Sequence, residues 1–170
     1  MPYTDLLRAS VFITAAEATA LGAITALATN RDGDTTIAIV AAVWWLAALA
    51  IGTYLGRPQR AAEDVRDALA RARTATLLPD QSPARIVFSR LWPVALTAVA
   101  AGALGIFFPG VAAVGAGYAL MVSLAWHTRE AAVLGIEQRD GVKFYVVPGN
   151  AMRPVELVRT PGLRSGRALT

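Results

Sequence analysis

The residue most capable of chemistry in this chain is Glu17. It lies near the middle of "ASVFITAAEATALGAITALAT" (residues 9–29), an apolar run long enough to cross a bilayer. An ionised carboxylate in hydrocarbon costs at least ~2.5 kcal/mol on insertion scales, so such a residue faces the interior of a helix bundle and is a functional hypothesis by default. No Lys or Arg falls inside any of the apolar segments, which leaves Glu17 without a cation at its own depth. Three states are open to it. It can be protonated and hydrogen-bonded to Thr97 or Tyr118 across the bundle. It can face a water-filled cavity as a proton or cation site. It can also reach Arg8 or Arg90 at the boundary, because arginine stems extend along the membrane normal. On helical spacing Glu17 shares a face with Ile13, Thr14, Ala20, Leu21 and Ile24, and Ala18, Gly22 and Ala26 form a row of small residues beside it that favours close packing.

Other chemistry is thinly represented. His127 and Glu130 stand at i, i+3, a spacing at which two side chains can share a metal, but the chain has one His and no Cys, so no closed site can be built and no metal is expected. The glycines of "AAGALGIFFPG" and "GVAAVGAGYA" sit in apolar helix with no adjacent lysine. Gly102, Gly105, Gly115 and Gly117 are therefore expected to let the third and fourth segments approach closely, not to cradle a phosphate. There is no Gly-x-Ser-x-Gly elbow and no His-Glu-x-x-His, so the expectation is no enzyme and no cofactor.

Composition says which elements must position these residues. The 170 residues are 55% hydrophobic and 16% charged with a mean hydropathy of +0.48, against roughly 25% charged in a soluble domain. Four segments have the length and polarity of spanning helices: 9–28, 36–55, 91–108 and 110–126. The last two meet at "FFPG", where Pro109 and Gly110 break and reverse the chain into a tight hairpin. Arg8, seven arginines between segments two and three, and a basic stretch after segment four lie on one side; only Arg31, beside Asp32 and Asp34, lies on the other. The positive-inside rule then places both termini and the long loop in the cytoplasm. The basic excess of 16 Lys+Arg over 12 Asp+Glu thus reports topology, and no nucleic-acid partner is expected. Trp92, Trp126 and Tyr54 fit the aromatic belt. Trp44 and Trp45 fall mid-segment, and because neighbours diverge by about 100° on a helix, the two rings cannot serve one face. Segments two and four align as "VAAVWWLAAL" (40–49) and "VAAVGAGYAL" (111–120), six positions matching, which would suit a duplicated hairpin of parallel topology or a chance likeness of Ala/Val-rich helices.

The polar parts carry their own pattern. Residues 59–77 read as an amphipathic helix, Ala62, Val65, Leu69 and Ala72 forming a thin apolar stripe, ended by Pro79. This helix either lies on anionic headgroups through its arginines or packs its stripe on the end of the bundle; the alanine-rich stripe favours packing. Segment four continues as helix through "HTREAAVLGIEQ" to a break at "RDG". "VKFYVV" (142–147) and "PVELVRT" (154–160) then read as a β-hairpin that must rest on the fourth helix, the loop helix or a partner. Arg66, Arg71, Arg73, His127, Arg129 and Glu130 are the candidate cytoplasmic interface.

The fold expected is an all-α integral membrane protein: four transmembrane helices in two helical hairpins over residues 1–128, with a cytoplasmic loop helix and a small C-terminal β-hairpin within residues 129–170. The Ala/Arg-rich usage with one lysine points to a bacterial inner membrane. Two functions compete. One is a non-catalytic component of a membrane complex, self-associating or bound to a membrane-protein partner through small-residue helix faces, with possible contact to anionic phospholipid headgroups. The other is an oligomeric small transporter or channel using Glu17 as a proton or cation site. The scarcity of polar residues in the spans favours the first.

Overall fold

The computed structural model describes residues 1–70, 72–74, 82–152 and 155–161. Arg71, the end of the expected loop helix (75–77), Arg153, Pro154 and the basic tail with Arg164 and Arg167 lie outside them. In chain order the elements are α1 (Tyr3–Asp32), α2 (Thr35–Leu55), α3 (Pro58–Ala70), β1 (Arg73–Thr74), α4 (Pro83–Gly105), α5 (Pro109–Asp140), β2 (Val142–Val146) and β3 (Leu157–Pro161).

Local chemistry fixes the ends of these helices. Gly33 closes α1 in the left-handed region at φ 66°, and the Asp34 carboxylate starts α2 by accepting the N–H groups of Thr36 (3.0 Å) and Ile37 (3.1 Å). Pro109 opens α5, and Gly141 at φ 64° ends it. Four helices, α1, α2, α4 and α5, are long and apolar enough to cross a membrane. Their most apolar stretches are only 22%, 17%, 6% and 39% buried, so the hydrophobic surface faces outward: Phe12, Leu27, Leu46, Val99 and Phe107 are all exposed. The order of those fractions also shows the arrangement, with α5 in the middle and α4 the least covered.

Helix α1 runs antiparallel to α5. Ser123 Oγ donates to Val11 O at 3.5 Å, Arg8 ion-pairs with Glu130, and Leu21 abuts Gly115. Buried positions recur every seventh residue on α1, at Leu7, Thr14, Leu21 and Ala28, and follow the same period on α5 at Ala112, Ala119 and Val133, with the half-buried Trp126 between the last two. A 3.5-residue period keeps one seam facing its partner along the whole length. The hydroxyls in that seam are satisfied within α1: Ser10, Thr14, Thr25 and Thr29 each donate to the carbonyl four residues back at 2.8–2.9 Å.

Helix α2 lies parallel to α5. Trp44 Nε1 donates to Val114 O at 3.3 Å, Trp45 Nε1 to Ala113 O at 2.9 Å, and Thr128 Oγ1 to Gly56 O at 2.8 Å. Gly56 must be glycine here, since a Cβ would fall on the Leu124 carbonyl oxygen. Segments two and four, aligned in sequence, are thus neighbours in space. The hairpins are nevertheless packed unequally: α1 lies along α5, whereas α2 and α4 share no comparable face.

The largest core sits at the polar end, outside the apolar part of the bundle. It gathers Tyr3, Leu6 and Leu7 of α1, Val65 and Leu69 of α3, Ile86, Val133, Phe144, Val146 and Leu157. The expected hairpin is present as β2 antiparallel to β3, Phe144 opposite Arg159 and Val146 opposite Leu157. It rests on α1, α3, α4 and α5 together. Two edges differ from expectation. The loop helix stops at Ala70, and Arg73–Thr74 instead pair parallel with Val158–Arg159, β-branched threonine favouring the extended chain. On the far edge Val146 N–H donates to Met1 O at 3.0 Å, so the chain start joins the sheet. Glu137, buried to 5% exposure, accepts from Phe144 N–H and Lys143 Nζ at 3.0 Å each and ties α5 to β2. The apolar stripe of α3 is spent inside this core, Val65 being 1% exposed, and is therefore not turned to lipid.

Candidate functional site

Glu17 occupies the seam position of α1 that follows Tyr3 and Ser10 by sevens, so the helical period delivers it to the junction of α1, α4 and α5. There it lines a groove of about 340 Å³ with Thr14, Val94, Thr97, Ala101 and Tyr118. The three polar residues expected to meet, Glu17, Thr97 and Tyr118, are brought to one groove. They do not form the expected hydrogen bonds. Thr97 Oγ1 turns back to Val94 O at 2.8 Å, the usual resort of a helical threonine. Tyr118 packs edge-on against Trp44, the centroids 5.3 Å apart. Reach to arginine is also closed: Arg8 is paired with Glu130, and Arg90 Nη1 donates to Asn150 O at 3.0 Å. Among the described residues, none hydrogen-bonds or ion-pairs with the Glu17 carboxylate.

The groove opens sideways, Tyr118 being 56% exposed. Toward the Gly33 end of α1 it is closed. Leu21, 2% exposed, wedges against Gly115, where a Cβ would stand 2.9 Å from its Cδ1, and Ile24 fills the space over Gly102 and Gly105. In the antiparallel register Glu17 is level with about Ala119, which is about 10 Å along the axis from Trp126 at 1.5 Å per residue.

The small residues serve more helices than expected. Gly105 meets Ala112 as an α4–α5 contact, but Gly102 faces α1, Gly115 faces Leu21 of α1 as well as Ala101 of α4, and Gly117 receives the Trp44 indole of α2. Ala18 and Gly22 lie on the other flank of α1 and cradle Trp45 in a second, smaller groove of about 270 Å³. The two indoles, expected to serve different faces, straddle α5 and donate to consecutive carbonyls. This pair lies outside the sequence-based site; the signal available was the small-residue run Gly115, Ala116 and Gly117, which stands in the repeat register of Trp44, Trp45 and Leu46 and leaves a gap where an aromatic ring fits.

Most of the candidate interface residues at the polar end are engaged. Arg129 pairs with Asp64 at 2.8 Å and lies over Trp126, Glu130 binds Arg8, and His127 Nδ1 contacts Leu124 O of its own helix at 2.7 Å. Glu130 therefore points to α1 and does not join His127 in a ligand pair. Among the described residues no cluster of His, Cys, Asp or Glu could hold a metal. Arg66 borders an open pocket of about 590 Å³ with Arg139 and Arg159, Arg73 lies in β1, and Arg71 is outside the described residues. Searches against protein-family models, curated proteins and solved structures give no match to this chain.

Proposed function

We propose that this protein is a non-catalytic component of a membrane assembly, inserted by α1, α2, α4 and α5 in a bacterial inner membrane with both termini and the polar module cytoplasmic. The observation that carries this reading is the Glu17 groove: a carboxylate with no partner among the described residues, flanked by small residues, in a groove that opens sideways between helices. A carboxyl group at that depth is stabilised by a donor from another helix, and the flanking Ala101, Gly115 and Ala119 leave room for one to approach. A second copy of the chain, or another membrane protein, supplies that helix. The basic end, with Arg57, Arg60, Arg66, Arg85 and Arg129 on one side of the bundle, supports the orientation under the positive-inside rule.

The second reading, an oligomeric transporter or channel, draws on the same meeting of Glu17, Thr97 and Tyr118. The Leu21–Gly115 and Ile24–Gly102 contacts argue against it, because they place apolar residues across the groove on the side of Glu17 that leads to the α1–α2 turn. The absence of cysteine makes a direct test simple. A single cysteine placed at Thr97 should form intermolecular cross-links in native membranes, and Glu17→Ala in that background should reduce them severalfold while Glu17→Gln retains them. Proton or cation flux through liposomes that Glu17→Gln abolishes would overturn the assembly reading in favour of transport.

A further inference from the structure

Another groove, of about 630 Å³, lies where α2, α3 and α5 meet, separated from the Glu17 groove by Val122, which borders both. Its floor is Met121, Val122 and Ala125 and its wall Leu55; Arg60 and Glu63 stand on its rim. The corner that shapes it is rigid. Gly56 is pressed on the Leu124 carbonyl, Thr128 holds Gly56 O, and Arg129 holds Asp64 at 2.8 Å.

The rim charges are arranged unusually. Asp64 and Arg129 neutralise each other, leaving Arg60 and Glu63 on the rim, with Arg57 just outside the lining on the Tyr54 ring that Arg60 also meets. Arg60 is three residues before Glu63 on α3, a spacing at which the two commonly pair. They do not pair here. Arg60 turns back to α2, donating from Nη2 to the Tyr54 hydroxyl at 3.0 Å, with its guanidinium 4.4 Å from the Tyr54 ring centroid; Arg57 lies 4.6 Å from the same ring. Glu63 is exposed and has no hydrogen bond or ion pair to the described residues. The rim is thus cationic at one end and anionic at the other, over an apolar floor, at the level of Tyr54 and Trp126.

We propose that this groove binds phosphatidylethanolamine, its phosphate on Arg57 and Arg60, its ammonium on Glu63, and its acyl chains along Leu55, Met121 and Val122. A primary ammonium supplies three N–H donors to a carboxylate. The quaternary ammonium of phosphatidylcholine supplies none, and phosphatidylglycerol brings no cation to Glu63. The proposal rests on the membrane placement given above.

The test uses full-length protein from the carbonate-resistant membrane fraction, in mild detergent. It is titrated with phosphatidylethanolamine, phosphatidylcholine and phosphatidylglycerol of identical acyl chains, and lipid adducts are counted by native mass spectrometry. We expect a preference of about threefold to tenfold for phosphatidylethanolamine, the range for a partly exposed charge-assisted contact. Glu63→Gln should bring the ethanolamine-to-choline ratio near one, Arg60→Ala should lower all three adducts, and Asp67→Asn, on the same helix outside the groove, should change nothing. Equal adducts in the wild type, a preference for phosphatidylglycerol, or a ratio untouched by Glu63→Gln would overturn the proposal. So would free phosphoethanolamine displacing the lipid stoichiometrically, which would make the ligand a soluble one. Protein that carbonate strips from the membrane would sink the membrane placement; carbonate-resistant protein lacking selectivity would sink the lipid site alone.

Discussion

Gly56→Ala tests the idea that the α2–α3 corner is seated on the backbone of α5. A Cβ at Gly56 would fall on the Leu124 carbonyl oxygen, 3.2 Å from the Leu124 carbonyl carbon and 3.1 Å from Gly52 O. All three are backbone atoms, so no side chain can rotate away and the corner itself must lift. Overpacking of this kind costs about 1–3 kcal/mol. Lifting the corner also breaks the 2.8 Å bond from Thr128 Oγ1 to Gly56 O, worth about 0.5–1.5 kcal/mol. The sum is about 1.5–4.5 kcal/mol. At about 2–4 °C per kcal/mol for a chain of this size, Tm in detergent should fall by on the order of 10 °C. The control is Gly135→Ala, where a Cβ meets nothing within 4 Å on an exposed face of α5. That change should raise stability by up to about 1 kcal/mol through helix propensity alone. Opposite signs for the two glycines, read by thermal unfolding of purified protein, are the expected result. If Gly56→Ala unfolds within about 1 °C of wild type, a shift well under the roughly 3 °C minimum of this sum, the corner is not seated as described.

Glu137→Ala should destabilise by about 2–4 kcal/mol because it strands the buried Phe144 N–H, while Glu137→Gln keeps an acceptor and loses less; amide exchange at Phe144 separates the two. Val133→Ala, at a fully buried position of the polar-end core, should cost about 2 kcal/mol, whereas Val99→Ala, 69% exposed on α4, should be close to neutral in thermal unfolding. Trp45→Phe removes the donor to Ala113 O and should cost about 0.6 kcal/mol, the average for hydrogen bonds between membrane helices; a cost above about 2 kcal/mol would mean that the ring, not its N–H, holds α2 in place.

The helices were readable from the sequence because their signals are local: apolar length, Gly33 and Asp34 at one turn, Pro109 at another, Gly141 after a proline-free run. The meeting of Glu17, Thr97 and Tyr118 was readable too, since an isolated carboxylate in an apolar helix has few polar residues to approach. What each one bonds to was not. Thr97 satisfies itself on its own helix, and that choice depends on the local geometry of α4, not on residue type. The glycines show the same limit from another side. A small residue announces a close approach but not the neighbour, and Gly102, Gly115 and Gly117 turned out to face α1 and α2. Nothing in the sequence singles out Glu137 among the charges near the end of α5. Its burial depends on β2 folding back over it and donating the Phe144 N–H, a turn of the chain that the charge pattern alone does not encode.

The strand pairing of Met1 and Pro2 with Tyr145 and Val146 sets a timetable for folding. The first residues of the chain cannot complete their hydrogen bonds until α5 and β2 have been made, and at roughly 5–20 residues per second that delay is on the order of ten seconds. During it Tyr3, Leu6 and Leu7 lack the core that later covers them, while the rest of α1 is already long enough to enter a bilayer. Helix α1 is therefore complete before the polar module can assemble, and that module closes last, when β2 reaches Met1 and Pro2.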